Sequence, residues 1–297
     1  MRVLIVGCGY AGLPLGMELA AEGHEVVGVR RSPPETSAGF QIIGADITNP
    51  NHLARLPGPF DWVINTVSAG QGTVENYRDV YFTGTQNLVA WLKTAGIKKY
   101  VYTSSTGVYG QIDGSAVKED ALVEPPSETG VVLRDTEKLL LNAHQEHGFP
   151  AIILRVAGIY GPDRGYWFRQ FLAGQARLEG KGDRILNMIH RDDLVGTIKA
   201  VLRSGRPGEI YNTVDDEPVA QIHLFRWLSE TLGRDMPTAD FELAKSERKR
   251  GWSNKKVLNR KLKMEVGYRF KYPTFRQGYT AEIQRLENLG LIPPSAA

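Results

Sequence analysis

Gly7-Cys8-Gly9-Tyr10-Ala11-Gly12 decides how the chain is read. The hexapeptide has the spacing G-x-G-x-x-G, follows the apolar run Val3-Leu4-Ile5-Val6 and precedes an amphipathic stretch over 13–21. Between a strand and a helix each glycine has a separate task. The first permits a tight turn, the second lets backbone approach a pyrophosphate, and the third lets helix and strand pack closely. The helix then offers its first N–H groups and the positive end of its dipole to the phosphates. A glycine turn without ligand would account for the spacing alone, but not for the strand before it and the helix after it.

The same alternation continues downstream. Strands are predicted over 25–30, 41–44, 61–66, 99–104 and 151–156, with helices over 74–94 and 131–147. Strands that are apolar end to end, separated by helix-length segments, predict a doubly wound α/β fold with a parallel sheet covered on both faces. The rhythm breaks after Tyr160, at Gly161-Pro162-Asp163-Arg164-Gly165. A helix starting at Asp192-Asp193-Leu194 and a strand over 209–213 still read as core. The expected organisation is a Rossmann domain over 1–162, to which 186–213 returns, and a smaller C-terminal α/β substrate lobe made of 163–185 and 214–297.

Composition removes several function classes. Of 297 residues 42% are hydrophobic and 23% charged, and the net charge of +3 gives no global pull toward nucleic acid or membrane. Cys8 is the only cysteine, which excludes an internal disulfide and favours a reducing, cytoplasmic setting. The apolar run at the N-terminus stops at Gly7, short of a signal peptide's core, and no run has the length of a membrane span. Six histidines with no H-E-x-x-H or paired-cysteine spacing give no metal site.

The end of the second strand selects the dinucleotide. A carboxylate there would bind the adenosine ribose 2′-hydroxyl of NAD, but Arg30, Arg31 and Ser32 stand in its place. Guanidiniums cannot accept that hydrogen bond, whereas they clamp a 2′-phosphate well, so the reading favours NADP(H) over NAD(H). Asp46-Ile47 follows the third strand and is placed to flank the adenine.

At Val101-Tyr102-Thr103-Ser104-Ser105-Thr106-Gly107-Val108-Tyr109-Gly110 the chain resembles the extended short-chain dehydrogenases/reductases, the NAD-dependent epimerase/dehydratase family. Leu154-Arg155-Val156-Ala157-Gly158-Ile159-Tyr160-Gly161-Pro162, Ile189-His190-Arg191-Asp192-Asp193-Leu194 and the segment from Gly208 to Pro218 are similar to further segments of that family, in its order. The resemblance implies a cofactor lying over the strand ends. The expected cofactor set is then Gly7, Gly9, Tyr10, Ala11, Gly12, Arg30, Arg31, Ser32, Asp46, Ile47, Thr66, Val67, Ser68, Thr103 and Val156. It also implies hydride chemistry on a sugar-like, commonly nucleotide-linked, small-molecule substrate, and the helices over 74–94 and 131–147 resemble those through which the family forms homodimers.

The family's catalytic pattern is a Ser or Thr after the fifth strand and Tyr-x-x-x-Lys on the next helix. Ser105 matches the first. Aligned on Pro125-Pro126-Ser127 and Glu137, Thr129 stands at the Tyr position and Leu133 at the Lys position, and no tyrosine occurs between Tyr109 and Tyr160. A threonine hydroxyl is a poor proton shuttle and a leucine carries no charge, so the familiar mechanism is closed to this chain. Tyr109 and Glu128 are the neighbouring substitutes, although packing explains Tyr109 and a helix-dipole role explains Glu128 equally simply. Tyr160 and Tyr166 flank the loop toward the second lobe. Arg164 and Arg191 are candidates for a substrate phosphate or carboxylate, Asp192 for a helix N-cap, and His190 for either a core residue or a ligand.

Residues 245–263 hold nine Lys and Arg around Trp252, but the acidic Glu242, Glu247 and Glu265 accompany them, so the stretch reads as a solvated helix face rather than a nucleic-acid patch. Two functions remain open. One is an NADP(H)-dependent oxidoreductase or epimerase of atypical mechanism, with Ser105 polarising the reacting oxygen. The other is a non-catalytic NADP(H)-binding redox sensor or regulatory scaffold.

Overall fold

The computed structural model describes residues 1–33, 39–70, 72–242 and 252–293. Its central sheet holds β1 (Arg2–Val6), β2 (Glu25–Arg30), β3 (Gln41–Gly44), β4 (Trp62–Asn65), β5 (Lys99–Ser105), β6 (Ala151–Val156) and β7 (Ile210–Thr213). The strands lie in the order β7-β6-β5-β4-β1-β2-β3, all parallel. The chain winds outward from β1 to β3, returns to β4 beside β1, and winds outward again. The strand order therefore reverses between β1 and β4, where a doubly wound sheet leaves a crevice at its C-terminal edge. This is the Rossmann fold expected from the sequence, with smaller C-terminal strands beside it.

Successive side chains of a strand point to opposite faces, and here both faces are covered. Val3 and Ile5 of β1 pack with Leu15, Leu19 and Ile198, whereas Leu4 and Val6 pack with Leu88 and Leu92 on the other side. The covering helices are α1 (Gly12–Ala21), α2 (Gly84–Leu92), α3 (Glu128–His147) and, after the short α4 (Tyr166–Leu172), α5 (Arg191–Ser204). The helix expected over 74–94 is present in three pieces, with a π-helical segment at Arg78–Thr83. Ser127 opens α3 by accepting the Gly130 N–H, and Gly148 closes it at φ +66°.

A third apolar cluster lies apart from these two. Phe168 and Phe171 of α4 meet Leu224, Phe225 and Leu228 of α6 (Gln221–Leu232) and Phe275 and Ile283 of α7 (Phe275–Asn288). Two-residue strand pairs, Leu178–Glu179 with Ala239–Asp240 and Ile185–Leu186 with Val219–Ala220, complete this part.

Two expectations need correction. The basic stretch is helical and solvated only at its end, from Arg260 into the π-helical Leu262–Val266, with Arg260 and Lys263 exposed; ahead of that its described backbone is engaged elsewhere. Lys256–Val257 pairs in parallel with Ala116–Val117, Lys256 N–H donates to Ser115 O, and Val257 N–H to Asn187 Oδ1. Lys245, Arg248, Lys249 and Arg250 lie outside the described residues. The N-cap of α5 is His190, whose Nδ1 accepts the Asp192 N–H at 3.1 Å, so Asp192 sits in the first turn instead. Among the described residues no helix is long and apolar enough to cross a membrane.

Candidate functional site

A cleft of about 1640 Å³ opens along the C-terminal edge of the sheet and continues between the sheet and the third apolar cluster. The glycine loop forms one end. Gly7 has φ +95°, and a Cβ there would stand 2.7 Å from Thr66 C. A Cβ on Gly12 would stand 2.3 Å from Gly7 O, while one on Gly9 would meet nothing within 4 Å. Gly7 and Gly12 are thus required by chain-on-chain contact, and Gly9 leaves a bare backbone in the cleft. Thr66 Oγ1 ties β4 to this loop through Gly7 O at 2.9 Å. Ala11, at the N-cap of α1, supplies no side-chain acceptor, so no side chain caps the helix's leading N–H groups. A backbone hollow at an uncapped helix N-terminus fits a pyrophosphate.

Arg30, Arg31 and Ser32 line the cleft at the end of β2. Both arginines are exposed, and neither has a carboxylate partner among the described residues. Asp46 and Ile47 line the same end, with Asp46 Oδ1 accepting from Thr48 N and Oγ1 at 2.9 and 2.8 Å. One Asp46 oxygen is therefore engaged in its own turn. Thr66, Val67, Ser68, Thr103 and Val156 also border the cleft, as do Gly7, Gly9, Tyr10 and Ala11; Gly12 lies beneath it, packed on Gly7.

At the middle of the cleft stand Ser105, Thr129 and Leu133. Ser105 Oγ accepts the Gly107 N–H at 3.0 Å, which leaves its own O–H to donate. Thr129 is buried, with its hydroxyl 3.1 Å from Ser127 Oγ. Tyr109 does not reach the cleft. It is wholly buried, its O–H donates to Asn212 Oδ1 and accepts from Arg155 Nη1, each at 2.8 Å, and burial pushes its pKa up to about 12. Glu128 is exposed in the first turn of α3 and does not line the cleft. Both are removed from the acid/base candidates.

The far wall comes from the C-terminal part of the chain. Tyr160 is buried against Tyr279 and His190 and lines the cleft, as does the exposed Tyr166. His190 is buried, and desolvation lowers its pKa to about 4, so it is neutral at physiological pH. Arg191 falls outside the lining because its guanidinium is committed to Asp192 Oδ1 at 3.0 and 3.2 Å. Arg164 does line the cleft, but its guanidinium carbon lies 4.9 Å over the ring of Tyr10, against the glycine loop.

The same wall holds Lys255, which sequence reasoning did not single out from its basic surroundings. It is 4% exposed, and its Nζ donates to Tyr109 O at 3.0 Å and Ser253 Oγ at 2.7 Å. Burial, with the charge of Arg184 second, lowers its pKa to about 8. Arg184 and Glu179, ion-paired at 3.1 Å, line the wall beside it.

A protein-family model described as "NAD dependent epimerase/dehydratase family" matches residues 3–213 of this chain, well over half of it. Protein YeeZ of Escherichia coli strain K12 is 28% identical over 282 residues, covering 92% of this chain and 96% of YeeZ. A functionally unknown conserved protein of Silicibacter pomeroyi DSS has a solved structure of TM-score 0.78 at 27% identity, covering 94% of this chain and 97% of that one. DesIV, the dTDP-glucose 4,6-dehydratase of Streptomyces venezuelae solved with NAD and TYD bound, gives TM-score 0.82 over 99% of both chains. At 23% identity that last likeness speaks for the fold.

Proposed function

The chain belongs to the NAD dependent epimerase/dehydratase family, and on that premise we propose that it is an NADP(H)-dependent oxidoreductase or epimerase-type enzyme acting on a sugar-like or nucleotide-linked substrate. The observation that carries the reading is the continuity of the cleft. One wall runs from the glycine loop and Arg30 past Ser105, and the other presents Arg184, Ser253 and Lys255. In this reading residues 1–162 and 186–213 hold the cofactor, and 163–185 with 214–297 hold the substrate. The NAD and TYD bound to DesIV support a dinucleotide and a nucleotide-linked ligand in such a cleft.

The residues present fit the dinucleotide. Gly7, Gly9 and the start of α1 would hold its pyrophosphate, and Arg30 and Arg31 a 2′-phosphate. Bound there, the nicotinamide supplies or takes up a hydride. Ser105 donates its free O–H to the reacting oxygen of the substrate and polarises it. Thr129 and Leu133 cannot move the proton, and Lys255 takes that part. With a pKa of about 8 its amine exchanges a proton near neutrality, and its two hydrogen bonds hold it in place. A non-catalytic NADP(H)-binding regulator is the second reading, favoured by Thr129 and Leu133 lining the cleft where Tyr and Lys would stand.

Fluorescence titration with NADPH and NADH, followed by single-turnover assays over a panel of sugar nucleotides and simple carbonyls, tests both. Saturable NADPH binding and turnover lost in Ser105→Ala supports the enzyme. NADPH binding with no hydride transfer to or from any substrate leaves the regulator. Binding of neither dinucleotide removes both readings.

A further inference from the structure

The turn after Tyr160 is built rigidly. Gly161 and Arg164 exchange two backbone hydrogen bonds of 3.0 Å, and Gly161 and Gly165 take φ +138° and +145°, which side-chain-bearing residues rarely adopt. The turn is fastened to the glycine loop by the Tyr10 O–H, which donates to Pro162 O at 2.9 Å across 152 residues of sequence. Arg164 lies 4.9 Å over the same ring and Arg191 5.3 Å. The two guanidiniums are not equivalent. Arg191 is paired with Asp192, and Asp163, the acid nearest Arg164 in sequence, is taken by Arg285 at 2.6 Å. Arg164 has no carboxylate partner among the described residues, and it lines the cleft.

A cation that stacks on the fourth residue of a phosphate loop, Tyr10, and spends none of its N–H groups on another side chain among the described residues is placed for an anion on that loop. We propose that the 161–165 turn is a second arm of the dinucleotide site, in which Arg164, held on Tyr10, binds the cofactor's pyrophosphate from the side opposite the N-terminus of α1. The inference rests on the dinucleotide reading above and replaces the assignment of Arg164 to a substrate anion.

Calorimetric titration of the full chain with NADPH, ADP-ribose and adenosine 2′-monophosphate tests it. The first two ligands carry a pyrophosphate and the third does not. Loss of a charge-assisted hydrogen bond predicts that Arg164→Gln weakens NADPH and ADP-ribose by about tenfold to a hundredfold. Adenosine 2′-monophosphate should bind as before, and Arg164→Lys should recover part of the loss. Tyr10→Leu, which removes the stacking platform, should weaken the same two ligands. Wild-type NADPH binding that Arg164→Gln leaves within about twofold overturns the second arm and spares the dinucleotide reading. Equal weakening of all three ligands also overturns it, as a general disturbance of the fold. If the wild type binds neither NADPH nor NADH, the dinucleotide reading fails and the second arm with it.

Discussion

Arg155 on β6 and Glu137 on α3 form an ion pair that is 3% exposed at each residue, with Nη2 and Nε of the arginine 2.8 and 3.1 Å from Oε2 of the glutamate. Arg155 Nη1 also reaches the Tyr109 hydroxyl, Tyr109 reaches Asn212 on β7, and Ser104 on β5 donates to the other oxygen of Glu137. The network joins three strands and a helix next to Ser105, and Ser104 is its member that lines the cleft.

Breaking one side of the pair should therefore cost more than the pair contributes. Arg155→Met leaves a buried carboxylate without its cation, and we expect a loss of about 3–5 kcal/mol in urea unfolding. Adding Glu137→Leu to Arg155→Met should recover a substantial part of that loss. Strict additivity of the two single changes would mean that the residues are not coupled.

Gly9 and Gly12 should separate binding from stability. A methyl on Gly12 collides with Gly7 O, whereas one on Gly9 meets only open cleft. Gly12→Ala is expected to lower both the unfolding midpoint and dinucleotide affinity. Gly9→Ala should leave the unfolding free energy unchanged within about 0.5 kcal/mol and still weaken NADPH, because the methyl occupies the space the pyrophosphate needs. A Gly9→Ala variant with wild-type NADPH affinity would place the phosphates elsewhere.

The choice of dinucleotide is carried by Arg30 and Arg31. Replacing both with alanine removes two guanidiniums from the 2′-phosphate while touching nothing that NADH requires. NADPH affinity should fall about tenfold or more toward the NADH value, with NADH unchanged. Parallel loss for both dinucleotides would show that the arginines act only through general charge.

The sheet and the glycine loop were legible because their signals are local. An apolar run, a G-x-G-x-x-G and an amphipathic helix lie within the first 21 residues, and apolar runs buried on both faces repeat along the sheet. The arginines at the end of β2 were legible for the same reason. Tyr109 and Glu128 stand close in sequence to Ser105 and Thr129, but a 3-10 turn over Thr106–Val108 and a helix start turn both away from the cleft. Lys255 is hidden among neighbouring charges, since contacts between distant segments, the pairing of Lys256–Val257 with Ala116–Val117 and the hydrogen bonds of Asn254 with Gln111 and Gly114, bring its amine to Tyr109, 146 residues away. The stacking of Arg164 on Tyr10 is likewise a contact between distant segments, with no periodicity to announce it.

Lys255 supplies the prediction in pH. Its pKa is about 8 in the folded protein against an ordinary 10.5, because burial penalises the charged amine. Below about pH 8 both folded and unfolded chains hold the proton, so the full cost of burying the charge is present and does not vary. Between about 8 and 10.5 the folded protein releases its proton while the unfolded chain keeps it, and stability must rise with pH, at up to about 1.4 kcal/mol per pH unit. Other groups titrate in this range, the buried tyrosines above all, so the quantity to measure is the stability of the wild type minus that of Lys255→Met from pH 7 to 10. That difference should be flat to about pH 8 and then climb in favour of the wild type. A flat difference throughout would return the amine to an ordinary pKa and remove Lys255 as the proton-transfer group.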